Sequence, residues 1–156
     1  MEQQDPNIIR FMDWLDSTIE VLDEKIQEGT AKSNADYLSF FEDKSEDLYR
    51  QHYMYKCLSD LRSNVRRLET PQQILEYIQR RKNVCIDNLL RRDIAARSTS
   101  PTGNLAHTLR LECFQQLIDE YDLLVRCLTA TPRQRQEEER TSKANRKNSQ
   151  KRGLRL

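Results

Sequence analysis

Cysteine and histidine are the residue types in this sequence that could bind a metal or supply a nucleophile and its base. The four cysteines are Cys57, Cys85, Cys113 and Cys127. No two of them form a CxxC pair, and neither His52 nor His107 lies at a zinc-ligand spacing from any of them. A metal site assembled from several helices is the functional alternative. We favour cysteines that act as small buried apolar side chains, and we predict no metal, no cofactor and no disulfide.

Paired carboxylates are the other groups that could perform acid–base chemistry or bind a metal. Asp13 with Asp16 and Asp119 with Asp122 form such pairs, but each pair lies off the apolar stripe of its predicted helix. The ExxH companion of a di-metal bundle is missing, as are the P-loop, GxGxxG, GxSxG and HExxH motifs. We therefore interpret the pairs as solvated charged faces. We predict that the chain is not an enzyme and takes no small-molecule substrate.

Aromatic side chains are concentrated between residues 37 and 55, where six of the eleven (1 Trp, 6 Tyr and 4 Phe in the chain) are found. These six are Tyr37, Phe40, Phe41, Tyr49, Tyr53 and Tyr55. We favour the interpretation that their rings fill one end of a helical core. Adjacent rings cannot all be buried on one stripe, however, so some of them are expected to face a partner protein. Trp14, which lies beside the apolar seam of the first helix, indicates a second occupied face in the same way.

Positive charge is concentrated at the C-terminal end of the sequence. Residues 1–131 carry 17 basic and 22 acidic side chains, whereas residues 132–156 carry 9 basic and 3 acidic ones. The nine basic residues are Arg133, Arg135, Arg140, Lys143, Arg146, Lys147, Lys151, Arg152 and Arg155. Because so few apolar residues accompany them, this tail is predicted to be disordered, or transiently helical around 137–140. We predict that it binds a polyanion: nucleic acid, an acidic filament or an anionic membrane; a merely solubilising role stays open.

A second basic cluster lies on the predicted third helix. It comprises Arg80, Arg81, Lys82, Arg91 and Arg92. We favour an intramolecular match between this ridge and the acidic first helix, because neighbouring helices in bundles often pair complementary faces. A ridge that binds phosphate groups is the functional alternative.

Proline, glycine and apolar periodicity divide residues 1–131 into four predicted helices. Their ranges are about 6–28, 35–69, 71–96 and 105–129, and the tail follows over 132–156. The first helix carries an apolar seam at alternating steps of four and three residues, formed by Ile8, Met12, Leu15, Ile19, Leu22 and Ile26. Asp5-Pro6 is predicted to begin this helix and Gly29 to end it. Thr70 with Gln73 predicts a capping box for the third helix, and residues 97–104 predict a loop.

The composition agrees with an all-α fold. The chain has 156 residues, of which 37% are hydrophobic and 33% charged, with only 3 Gly and 4 Pro. Scarce Gly and Pro argue against turn-rich sandwiches, barrels and doubly wound sheets. No apolar run reaches the roughly 20 residues that span a bilayer, and no secretory signal is visible. We predict an elongated, coiled-coil-like four-helix bundle with one long helix, located in the cytoplasm (cytoskeleton) or nucleus and not secreted.

The predicted function is that of a non-enzymatic helical subunit of a larger multi-protein assembly. Contacts to partner helices are assigned to the seam and to five rings, those of Tyr37, Phe40, Phe41, Tyr53 and Tyr55. Among such assemblies we favour a cytoskeletal or spindle-associated complex in contact with microtubules, by analogy. The alternative is a nuclear or viral nucleic-acid-associated protein that binds phosphates through the third helix and the tail. Candidate phosphorylation sites are Ser100, Thr131 and Ser149.

Overall fold

A computed structural model describes residues 5–91 and 100–153 of the chain, with side chains described as far as residue 148. This part of the chain forms five helices and no strand, so the predicted all-α class is confirmed. The helices are α1 (Pro6–Ala35), α2 (Tyr37–Val65), α3 (Pro71–Leu90), α4 (Pro101–Thr129) and α5 (Pro132–Gly153). All 4 prolines of the sequence occupy the first position of a helix, where the missing N–H donor costs nothing.

α1 and α2 form an antiparallel hairpin joined by the single residue Asp36. The Asp36 N–H donates to the Lys32 carbonyl at the end of α1 (3.1 Å), and its carboxylate accepts from the Ser39 N–H at the start of α2 (3.3 Å). One residue therefore caps both helices. An ion pair between Asp16 on α1 and Arg62 on α2 (2.6 Å) joins the two helices far from this turn.

Gly29 lies inside α1, so the predicted end of the first helix at this residue is wrong. A Cβ atom placed on Gly29 would lie 2.9 Å from Cδ1 of Leu48 on α2. The missing side chain allows the two helices to pack closely at this point. Gly29 therefore has a packing role against Leu48, not the helix-ending role that its tolerance of the left-handed conformation predicts.

The capping signals at the start of α1 and α3 are confirmed. Asp5 accepts from the Asn7 N–H (2.8 Å) ahead of Pro6, and Thr70 with Gln73 forms the predicted capping box. Both signals involve residues three or fewer positions apart, so the sequence alone contains the information that fixes them.

Two other predicted boundaries differ from the structure. α2 ends at Val65, not at residue 69. α4 begins at Pro101, within the predicted loop, because the Ser100 hydroxyl accepts from the Gly103 N–H (2.9 Å) and caps the helix. The predicted third helix ends at Leu90 in the described part of the chain, and residues 92–99 lie outside the described residues.

α4 contacts α1, α2 and α3 and is therefore central to the body of the protein. One stripe along it is buried, formed by Leu109, Cys113, Leu117, Tyr121, Leu124 and Leu128. α4 runs parallel to α2, as the contacts Arg50–Glu112 and Tyr53–Phe114 show. It runs antiparallel to α1, because the start of α1 is hydrogen-bonded to the end of α4.

The predicted disorder of the tail is wrong for residues 132–153, which form α5. The Thr131 N–H donates to Gln134 Oε1 (2.9 Å) and the Gln134 N–H donates to Thr131 Oγ1 (3.2 Å), which is a capping box around Pro132. The residues that follow are mostly Arg, Gln, Glu and Lys, which have high helix propensity. The same Thr-Pro-x-Gln pattern begins α3 at Thr70 and α5 at Thr131, so this helix start does have a local sequence signal.

We expect Gly29→Val to loosen the α1–α2 hairpin, because a branched side chain would overlap Leu48. Overpacking of this kind costs about 1–3 kcal/mol of stability, which corresponds to a fall in Tm of roughly 2–9 °C for a domain of this size. Thermal unfolding followed by circular dichroism measures the change. Ala31→Val, at an exposed position of the same helix, is the matched control and should shift Tm by less than about 2 °C. A Gly29→Val protein as stable as the wild type would show that the close approach is unimportant.

Candidate functional site

The apolar seam of α1 is used within the chain itself. Leu15 is buried in the core, and Ile8, Met12, Ile19 and Leu22 pack against that core. Ile26, the last member of the seam, is half-buried. The side chains that the sequence assigned to partner helices therefore make the packing of α1 against α2 and α4.

A different face of α1 is open. Trp14 and Val21, seven residues apart and hence on the same side of the helix, are 44% and 49% exposed. They line a cavity of about 500 Å³ between α1 and α4, and the buried side chains Met54 and Leu58 of α2 contribute to its lining. The cavity is thus a recess between α1 and α4 that has buried apolar side chains of α2 in its lining.

A second cavity of about 570 Å³ shares Trp14 and Ser17 with the first. Its walls are formed by α1, by Leu123 and Cys127 of α4, and by Glu138 of α5. The two cavities together make one groove along α1 and α4, which we call the Trp14 groove. Trp14 lies where the two cavities meet, and its indole makes no hydrogen bond or ring contact within the described part of the chain.

Charged side chains flank the Trp14 groove. On the α4 wall, Asp119 and Glu120 have no ion-pair partner in the described structure, and Lys25 on the α1 wall has none either. At the other end of the groove, Arg10 forms an ion pair with Glu138 of α5. The α4 wall next to the first cavity is therefore negatively charged and open to a cation from outside the chain.

A second exposed apolar surface lies at the first turn of α2, and we call it the hairpin tip. It consists of Tyr37, Leu38 and Phe41, whose exposed fractions are 60%, 75% and 59%. The rings of Tyr37 and Phe41 contact each other, with centroids 6.0 Å apart. Phe40, between them in sequence, is buried. The expectation that adjacent rings cannot all be buried on one stripe is confirmed at these residues.

The rings further along α2 pack within the chain. Tyr53 packs edge-to-face against Phe114 of α4, with ring centroids 5.9 Å apart, and Tyr49 stacks on Tyr53. Tyr55 is half-buried. Of the five rings assigned to a partner, those of Tyr37 and Phe41 are thus open, whereas Tyr53 belongs to the packing between α2 and α4.

The basic ridge on α3 does not match the acidic first helix as expected. Lys82 forms an ion pair with Asp122 on α4 (2.7 Å), because α3 packs against α4. Arg80, Arg81 and Arg91 are exposed. The predicted ridge member Arg92 lies outside the described residues.

The basic residues of the C-terminal segment divide between two sides of α5. Arg135 is half-buried and donates to Asn7 of α1 (2.7 Å). The exposed ones are Arg133, Arg140, Lys143, Arg146 and Lys147. Arg133 forms an ion pair with Glu137 one turn later (3.4 Å), and the other four have no partner in the described structure. The predicted contacts Lys151 and Arg152 belong to α5, whereas Arg155 lies beyond the described residues.

The four cysteines are free thiols in the packing of the helices. Cys85 and Cys113 are buried, and burial raises the pKa of each thiol to about 11. Burial also raises the pKa of the half-buried thiols of Cys57 and Cys127. The interpretation of the cysteines as small buried side chains is confirmed for Cys85 and Cys113. Thiols of this kind are poor nucleophiles at neutral pH.

Two tyrosines in the core also have raised pKa values. Burial raises the pKa of Tyr53 to about 12, and it raises the pKa of the fully buried Tyr121 as well. The Arg81 guanidinium interacts with the Tyr121 hydroxyl and lowers that pKa in part. In the described part of the chain, no group of three or more His, Cys, Asp or Glu side chains is arranged to hold a metal ion.

Comparison with known protein families, with curated protein sequences and with solved structures finds no match to this chain. Within residues 5–91 and 100–153, no helix contains a stretch long and apolar enough to cross a membrane. Any assignment of function therefore depends on the surfaces described above.

We expect stability to fall between about pH 9 and pH 11 because of the buried thiols. The unfolded chain releases these thiol protons near pH 9 while the folded chain retains them up to about pH 11, so rising pH favours unfolding in this window. Urea denaturation at pH 7, 9, 10 and 11 measures the effect. The double variant Cys85→Ala, Cys113→Ala should be less stable than the wild type at pH 7, since buried atoms are lost. Between pH 9 and pH 11 its free energy of unfolding should fall by less than that of the wild type. Parallel pH curves for the two proteins would rule out the thiols as the cause.

Proposed function

We propose that this chain is a non-enzymatic helical subunit of a larger assembly, and that it binds an amphipathic helix of a partner protein in the Trp14 groove. The observation that carries the proposal is the exposed indole of Trp14 at the junction of two open cavities, the first of which is lined in part by the buried side chains Met54 and Leu58. Tryptophan is enriched among the residues that dominate binding energy in protein interfaces. Exposure of this indole and of Val21 to water is unfavourable, and a bound helix would bury both side chains.

The shape of the groove indicates what a partner helix would carry. The antiparallel helices α1 and α4 form its long walls, so a third helix can lie between them with apolar residues spaced three, four and seven apart. A Lys or Arg beside that apolar face would meet Asp119 and Glu120 on α4. An acidic residue on the opposite edge would meet Lys25 on α1.

The proposed architecture is an elongated helical bundle with two contact surfaces besides the groove. The hairpin tip, with Tyr37 and Phe41 exposed, offers a smaller apolar contact to another subunit. The basic residues of α5 are proposed to contact an anionic surface. A cytoskeletal or spindle-associated assembly stays a prediction from the sequence, and co-sedimentation with microtubules tests it.

We expect Trp14→Ala combined with Val21→Ser to release the partner from the groove. Affinity purification of the tagged full chain from its native cells, followed by quantitative mass spectrometry, should recover a stoichiometric protein partner with the wild type. The groove variant should recover about 10–100-fold less of it, since truncation of a central interface tryptophan costs about 2 kcal/mol or more.

Val84→Ser is the matched control for this purification. Val84 lies on α3, away from the groove, and its side chain is 42% exposed, close to the 49% of Val21. The control variant should recover the same partner at the wild-type level. Equal recovery by the groove variant and the wild type would show that the partner binds elsewhere, for instance at the hairpin tip.

A further inference from the structure

In the part of the chain that the structure describes, α5 contacts the body of the protein through the side that carries Arg135 and Glu138. Near its start, Arg135 donates to Asn7 of α1 (2.7 Å) and Glu138 forms an ion pair with Arg10. The Asn7 amide also donates to the carbonyls of Leu128 and Ala130 (3.0 Å each), so the same residue binds the end of α4. Further along α5, the residues that face α4 across a cavity include Thr141, Ser142 and Asn145.

The opposite side of α5 carries a row of cations. At about 100° per residue, Arg133, Arg140, Lys143 and Lys147 fall within an arc of about 80°, which points away from Arg135 and Glu138. All four side chains in the row are exposed. The last three have no ion-pair partner in the described structure, and Lys151 continues the same spacing in sequence. We call this set the outer row.

The composition of α5 around the outer row limits what it can bind. Residues 140–153 contain 6 basic residues and no acidic ones, and their one apolar residue apart from glycine is Ala144. A helix that inserts into a membrane surface needs an apolar face to bury at the acyl boundary, and α5 has none, so a lipid surface could attract it through charge alone. The segment also contains no aromatic ring on which the bases of a single strand could stack.

We propose that the outer row of α5 binds the phosphate backbone of duplex nucleic acid. A duplex presents regular rows of phosphates with one charge per about 1.7 Å of its axis. The cations from Arg140 to Lys147 span about 10 Å along one side of a helix and match such a row better than the scattered carboxylates of a protein surface. Asparagine and serine side chains, also present in this part of α5, are common donors to phosphate oxygens.

The rest of the chain sets the orientation of this contact. Residues 1–131 carry 17 basic and 22 acidic side chains, so the body as a whole attracts phosphates less than α5 does, although Arg80, Arg81 and Arg91 are exposed on α3. The unpaired cations of the outer row favour α5 as the side that the duplex meets, and the Trp14 groove then stays free for a partner protein. This inference deepens the proposed function, because it names the anionic surface that α5 contacts.

The test is a titration of a fluorescein-labelled 20-base-pair DNA duplex with the purified full chain, followed by anisotropy at several salt concentrations. We expect binding that weakens with salt, with a slope of about −4 to −5 in log K against log salt, as four to six phosphate contacts imply. Arg140→Gln with Lys143→Gln and Lys147→Gln should bind at least 10-fold more weakly. Its slope should be smaller in magnitude by roughly 2 to 3.

Two controls distinguish binding through the outer row from an effect of net charge and from binding by a flexible basic segment. The first control removes three exposed positive charges from the body, through Arg66→Gln, Arg67→Gln and Arg80→Gln. It should change the affinity for DNA by less than about threefold. Ala144→Pro keeps every charge but breaks α5, which circular dichroism verifies, and should weaken binding several-fold because the row is no longer straight.

Four results would overturn the inference. The first is no binding to the duplex, and the second is an equal loss of DNA affinity in the two triple variants. The third is wild-type DNA affinity of Ala144→Pro. The fourth is binding through the same residues to microtubules or anionic vesicles but not to DNA. The Trp14→Ala, Val21→Ser variant should bind the duplex as the wild type does. Loss of DNA binding in the outer-row variant with intact partner recovery, or the reverse, therefore tells the two proposals apart.

Discussion

The burial of one stripe of α4 against three other helices is the constraint on which the structure depends. Each turn of α4 places one apolar residue in the core, and that stripe fixes the positions of α1, α2 and α3. The seam of α1 is buried or half-buried in this packing, so the neighbouring face of α1, which carries Trp14 and Val21, is left open. On the side of α4 that meets this face, Gln116, Asp119 and Glu120 replace large apolar residues and leave the space unfilled. The Trp14 groove is thus a consequence of how α4 is shared among its neighbours.

The division of charge along the chain acquires a spatial meaning in the structure. The acidic body and the basic C-terminal segment meet at Asn7 and Arg10, where α5 begins. The three glutamates of α5 lie in this region, next to the body, and the unpaired cations lie beyond it. A net charge of +1 for the whole chain therefore conceals two surfaces of opposite sign. The proposed partner site in the Trp14 groove and the proposed polyanion site on α5 are compatible because the two surfaces are kept apart.

Local features of this fold could be predicted from the sequence, and features that depend on neighbouring helices could not. The seam of α1 and the capping box at Thr70 follow from spacings of three and four residues. Gly29 was misinterpreted because a close approach to another helix leaves no local signal. The partner of Lys82 depends on which helix lies next to α3. α5 is not predicted by apolar periodicity, because the segment has almost no apolar residues. Trp14 stood out in the sequence, but the groove beside it requires knowledge of where α4 lies.

The most direct measurement of the central claim is acrylamide quenching of tryptophan fluorescence. The chain contains 1 Trp, so the signal reports on the Trp14 groove alone. In the isolated protein the half-exposed indole should be readily quenched. In the purified complex with its partner, quenching should fall several-fold and the emission should shift to shorter wavelength, because the bound helix excludes water from the indole. Identical quenching in the isolated and the bound protein would contradict the account, since the groove would then be empty in the assembly.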